Sequence, residues 1–112
     1  MDSYDIEQTL LGKLIVEPKL IDKYNQLLHE DLFEFPFNKS TYHAIEELKS
    51  KNRVIDILTV SKLIKGEDII LNLSQMTDKA FDFTEVITCI GILTEEFQKR
   101  TLTGIVQDVG NK

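Results

Sequence analysis

The sequence predicts an all-α fold, and three observations predict it. Apolar residues recur three and four positions apart through nearly all of the 112-residue chain, the spacing that lines one face of a helix. The periodic stretches end at residues that stop helices: Pro18, Asn52, Gly66 and Gly110. Third, Ile55-Asp56-Ile57-Leu58-Thr59-Val60 places an aspartate directly before an apolar and hydroxyl run. A carboxylate there accepts from backbone N–H groups that the first helical turn leaves unpaired.

Taken in order, Ile6, Leu10, Leu11, Leu14 and Ile15 mark an amphipathic first helix, capped by Asp2 or Ser3 and closed before Pro18. Pro18 suits the first turn of a second helix. Its apolar face is Leu20, Ile21, Tyr24, Leu27 and Leu28, with His29 near its negative carboxyl end. After a turn through Glu30-Asp31-Leu32-Phe33, Pro36 starts a helix with Phe37, Thr41, Ala44, Ile45 and Leu48 on one face and Glu46, Glu47, Lys49 and Lys51 on the other. Asn52 closes it in the left-handed conformation, and Asp56 caps the next, which carries Ile57, Leu58, Val60, Leu63 and Ile64 to Gly66.

Ile69, Ile70, Leu73 and Met76 keep helical spacing, so residues 69–77 read as a short helix despite the β-branched pair. Asp82 and Glu85 have capping-box spacing ahead of Phe83, Val86, Ile87, Ile90, Leu93, Thr94 and Phe97. That run continues through Leu102, Ile105 and Val106 to Gly110, a helix of about 25 residues and roughly 37 Å. Its first half is apolar around more than one stripe, and the surplus wants a second surface. Either the rest of the same subunit covers it or another copy does.

The length suits one domain, residues 1–112, and a composition of 42% hydrophobic and 29% charged residues is that of a folded body. Net charge is −6, unevenly spread: eight acids face three bases over residues 1–35, three face six over 36–65, and eight face four over 66–112. Strong direct binding to nucleic acid is a poor fit, because phosphate contacts draw affinity from lysine and arginine. The basic residues Lys49, Lys51, Arg53, Lys62 and Lys65 have only Tyr42 nearby as a stacking platform, so a solvated helical face is the better reading. One cysteine, an acidic start at Met1-Asp2-Ser3 and no apolar run near the roughly 20 residues that span a bilayer point to a cytoplasmic protein with no membrane partner.

No catalytic, cofactor-binding or metal-binding set emerges. His29 with Glu30, Asp31 and Glu34 lacks a second histidine at a helical interval, His43 lying in another helix. Cys89 sits in an apolar helical surface with no base at helical spacing to activate it. Gly12-Lys13 is followed by Leu14, and Gly66 by Glu67, so the glycine-rich Gly-Lys-Ser/Thr loop that cradles nucleotide phosphates is missing. Gly12 is costly inside a helix; a close helix crossing would account for it.

Three segments carry a resemblance: Ile6-Glu7-Gln8-Thr9-Leu10-Leu11-Gly12, then Leu32-Phe33-Glu34-Phe35-Pro36 followed by Asn38, Tyr42, Ala44 and Ile45, then Ile55 to Val60. In this order and at these separations they resemble the N-terminal domain of bacterial replicative DNA helicases of the DnaB type. The resemblance implies a compact head of about five short helices over residues 3–65 and an antiparallel helical hairpin over residues 69–108 with a long C-terminal helix. It implies a non-catalytic role in DNA replication: hairpins pair between copies, pairs build a hexameric ring collar, and primase or a helicase loader docks on it within the primosome. ATP and magnesium would serve only a separate motor domain. Self-assembly would fall to Phe83, Val86, Ile87, Ile90, Leu93 and Phe97, with Gly12, Asp56 and Asp82 as structural residues. Between Gly66 and Leu73 the family's pair of glycines followed by Tyr-Leu is missing, and Asp78-Lys79-Ala80-Phe81-Asp82 lacks the proline often found there, so the hairpin is shortened. A stand-alone phage or mobile-element adaptor that binds a host replication protein, and an unrelated helical regulator, fit the same residues.

Overall fold

The computed structural model describes the backbone of residues 2–110 and the side chains of residues 2–102. Among the described residues six α-helices follow one another: α1 Ser3–Val16, α2 Lys19–Lys23, α3 Pro36–Ser50, α4 Ile57–Ser61, α5 Ile69–Asp78 and α6 Val86–Gly110. Short 3-10 turns at Glu30–Leu32 and Lys79–Phe81 complete the chain, and there is no strand among the described residues. The body measures 49 × 29 × 27 Å. Its long dimension suits α6, whose 25 residues extend roughly 37 Å.

Local chemistry sets most boundaries. The Asp2 carboxylate accepts from the Asp5 N–H at 2.9 Å and starts α1; Pro18 lies just beyond its end. α3 closes through Asn52 at φ 59°, with Asn52 N–H donating to the Lys49 carbonyl at 3.1 Å and Arg53 N–H to that of Leu48 at 2.9 Å. This paired closure satisfies carbonyls that a helix end leaves open. At α4, Thr59 N–H donates to the Asp56 carboxylate at 2.8 Å, and Asp56 N–H donates to the Thr59 hydroxyl at 2.9 Å, a reciprocal cap.

Three expectations are corrected. The second helix stops at Lys23; Tyr24 turns the chain instead, its carbonyl accepting from Leu27 and Leu28 at 2.9 and 3.1 Å. His29 is therefore not at a helix carboxyl end but in extended backbone ahead of the first 3-10 turn. The last helix begins at Val86, where Cys89 N–H donates to the Glu85 carbonyl at 3.1 Å. The Asp82 carboxylate instead accepts from Thr84 N–H two residues on, at 2.7 Å. A short acidic side chain makes that local turn as readily as a helix cap, and here the turn wins.

The third correction concerns packing. α1 is the hub of the fold: α2, α3, α5, the second 3-10 turn and α6 all pack on it. Nine of its residues are buried, including Glu7, Gln8 and Thr9, so it is not the one-faced amphipathic helix expected. α5, α6 and the 3-10 turn between them all pack closely on α1. Leu73, Met76, Cys89, Ile90 and Leu93 join Leu10, Leu11 and Leu14 in one core. This core draws residues from both sides of residue 65.

The buried polar groups of α1 are satisfied. Glu7, with no exposed surface, accepts from Glu34 N–H at 3.0 Å, from the Asn38 amide at 3.1 Å and, at 3.5 Å, from Phe35 N–H. Its carboxylate thus sits against the positive amino end of α3. Burial outweighs these bonds and holds its pKa above the ordinary glutamate value. Gln8 donates to the Tyr4 hydroxyl at 2.7 Å and accepts from the Lys79 ammonium at 2.7 Å, while Lys79 also pairs with Asp5 at 3.1 Å. The Lys79 hydrogen bond, acting first, keeps the Asp5 carboxyl below its usual range.

Candidate assembly surface

The surface grows from the crossing of α1 and α5. A Cβ at Gly12 would lie 2.2 Å from the Met76 carbonyl oxygen and 3.4 Å from Ala80 N. The two backbones touch there. One residue on, the Lys13 ammonium donates to the carbonyls of Ala80 at 2.9 Å and Asp82 at 2.8 Å. With the Asp82–Thr84 turn, this ties down both sides of the connection between α5 and α6. The Thr84 bonds hold the Asp82 carboxyl below its ordinary pKa.

What the tied connection presents is aromatic. Phe83 is fully exposed, Phe81 is 76% exposed, and Ile87 on the first turn of α6 is 44% exposed. Aromatic residues, phenylalanine among them, are enriched at protein interfaces. Phe81 went unnoticed in the sequence because it lies outside the helical periodicity; its spacing of two from Phe83, in a connection with no other apolar residue than Ala80, was the available signal.

The six residues assigned to self-assembly divide. Phe83 and Ile87 face solvent, whereas Val86, Ile90 and Leu93 are buried within the subunit. The expectation that those three form surplus apolar surface is corrected: α1 takes up this stripe of α6, and each such burial contributes about 1.5–3 kcal/mol to the fold itself. Phe97 is half-buried, its ring centre 5.7 Å from that of His29 in an edge-on arrangement. Beyond it, Arg100 donates to the Asp31 carbonyl at 3.1 Å and lies 3.6 Å from the Glu34 carboxylate. The outward side of α6 then runs Ile87, Gly91, Glu95, Gln98 and Leu102, all exposed, so it is polar in its middle and apolar towards each end. The side chains of Ile105 and Val106 lie outside the described residues.

The remaining candidates fall elsewhere. His43, fourteen positions from His29, comes within 2.7 Å of Glu30, while His29 stands 3.9 Å from Asp31. No group of three or more histidine, cysteine, aspartate or glutamate residues suited to a metal ion occurs among the described residues. Cys89 is fully buried, and burial raises its thiol pKa. Tyr42 stacks on Phe33 at 4.9 Å inside the core, where burial, then Glu46 and Glu30, push its hydroxyl pKa up; its ring is not available to a base. Lys49 pairs with Asp22 and Lys51 with Glu47. No helix among the described residues is long and apolar enough to cross a membrane.

Comparison with known proteins gives concordant matches. A family model described as the DnaB-like helicase N terminal domain matches residues 1–96. The replicative DNA helicase DnaB of Rhodothermus marinus is 25% identical over 114 positions, covering 95% of this chain and 12% of that protein. The replicative DNA helicase DnaB of Nostoc sp. is 18% identical over 104 positions, covering 88% of this chain and 12% of the relative. The chain thus spans 12% of the length of these curated relatives.

Proposed function

We propose that this chain, which belongs to the DnaB-like helicase N-terminal domain family, serves as a non-catalytic oligomerisation and partner-docking domain of a replicative DNA helicase. It would form part of a ring collar, and primase or a helicase loader would dock on the assembled ring. ATP and magnesium would be bound by a separate motor domain, since no Gly-Lys-Ser/Thr phosphate loop occurs in this sequence.

The observation that carries the reading is the exposed pair Phe83 and Ile87, joined by Phe81, on a connection fixed by Lys13. Large apolar side chains carried on a backbone that is already fixed bury their area with less ordering cost in the loop, which favours association. Val86, Ile90 and Leu93 would support that surface from below, as its packed base.

Sedimentation velocity over a hundredfold concentration range tests this. Wild-type protein is expected to shift from monomer to dimer or larger species, and Phe83→Ser with Ile87→Asp to remain monomeric with an unchanged melting curve. A wild-type protein that stays monomeric at the highest concentration, or a double variant that associates equally well, overturns the assignment of this surface.

A further inference from the structure

A second surface shares no residue with the first. Where the amino end of α2 meets the loop that follows α3, an open groove of about 400 Å³ is lined by Pro18, Lys19, Asp22, Lys49, Arg53 and Val54 among others. The Pro18 ring and Val54, 69% exposed, give it an apolar strip. Its charges are unbalanced. The only carboxylate lining it, Asp22, is taken by Lys49 at 2.9 Å, and neither Lys19 nor Arg53 joins an ion pair among the described residues. A local excess of two positive charges thus stands in a chain of net charge −6. The loop that carries Arg53 and Val54 is fixed, because Arg53 N–H completes the closure of α3.

We propose that this groove docks an acidic peptide segment of a partner protein, with Lys19 and Arg53 taking carboxylates on either side of an apolar side chain that rests on Pro18 and Val54. The charge complementarity selects acid, and the apolar strip in the same groove as the cations selects one greasy residue among the acids. A nucleic-acid strand would present comparable charge. Sequence-tolerant strand binding, however, stacks bases on aromatic rings, and no aromatic residue lines this groove. Its two free cations are also few for an affinity built on neutralising phosphates.

Selection from a displayed library of random decapeptides tests this, run in parallel on the wild-type chain and on Lys19→Glu with Arg53→Glu. The expected enrichment is for sequences with two or more acids flanking an apolar residue. Such a peptide, synthesised and labelled, should bind the double variant at least tenfold more weakly, should weaken with added salt, and should shift the amide resonances of Arg53 and Val54. Asp22→Asn, which releases Lys49 into the groove, should tighten binding severalfold. No enrichment, enrichment of peptides without acids, equal binding to both proteins, or stronger shifts of the same resonances by oligothymidylate would each overturn the proposal. All three substituted residues are exposed, and sedimentation of the double variant is expected to match wild type, which separates failure here from failure of the assembly surface.

Discussion

Replacing Gly12 by alanine adds one methyl group where two backbones meet, and the cost can be worked from the crossing. The new Cβ would stand 2.2 Å from the Met76 carbonyl oxygen and 3.0 Å from its carbon. Ordinary contact begins at 3.4 Å, so α1 and α5 must part by about 1 Å. Both obstructing atoms are main chain, so no rotamer change relieves the overlap. Overpacking of this kind costs about 1–3 kcal/mol, and the upper half applies because Leu73 and Met76 would retreat from the core together. Alanine returns about 1 kcal/mol of helix propensity, leaving a net loss of about 1–2 kcal/mol. Gly91 supplies the internal control, since a Cβ there meets nothing within 4 Å and Gly91→Ala should stabilise by about 1 kcal/mol. Urea unfolding followed by circular dichroism, at a protein concentration low enough to exclude association, should place the two variants on opposite sides of wild type. A Gly12→Ala protein as stable as wild type would refute the reading of the crossing.

Two further outcomes are expected. Burial raises the folded pKa of Glu7 above its unfolded value near 4.5, so the stability of wild type relative to non-titrating Glu7→Gln should be greatest below pH 4.5 and decline as pH rises through the folded value; a gap that instead widens in favour of wild type on going to neutral pH would show that the helix-end bonds outweigh desolvation. Asp56→Ala should cost about 1 kcal/mol and speed amide exchange at Thr59, whose N–H loses its carboxylate partner; unchanged exchange would mean that packing alone holds α4.

Local chemistry made the helix ends at Pro18, Asn52 and Asp56 legible, because each depends on residues within four positions. Where a residue had two local options, the sequence misled. Asp82 could cap a helix or bond the amide two positions on, and Lys13, reaching in from α1, fixes the backbone that favours the second. Packing was harder still. Apolar spacing tells which face of α5 or α6 is buried but not that α1 covers both. Glu7 and Gln8 read as polar interruptions of an apolar run; their partners Glu34, Asn38 and Lys79 lie 27 to 71 residues away. For the assembly residues, helical spacing grouped six side chains, yet only Phe83 and Ile87 among them are plainly exposed.

The placement of α1 at the hub also sets an order of events during synthesis. Of the described helices, α1 is made before the elements that enclose it, and the Lys13 and Lys79 ties span 67 to 74 residues. Until α5 and the opening turns of α6 have emerged, Leu10, Leu11 and Leu14 have no complete shelter, so the nascent chain carries a greasy rod until that point. A protein cut after Gly66 would keep that rod and lose its cover. The amino-terminal half is thus a dependant of the carboxyl-terminal one.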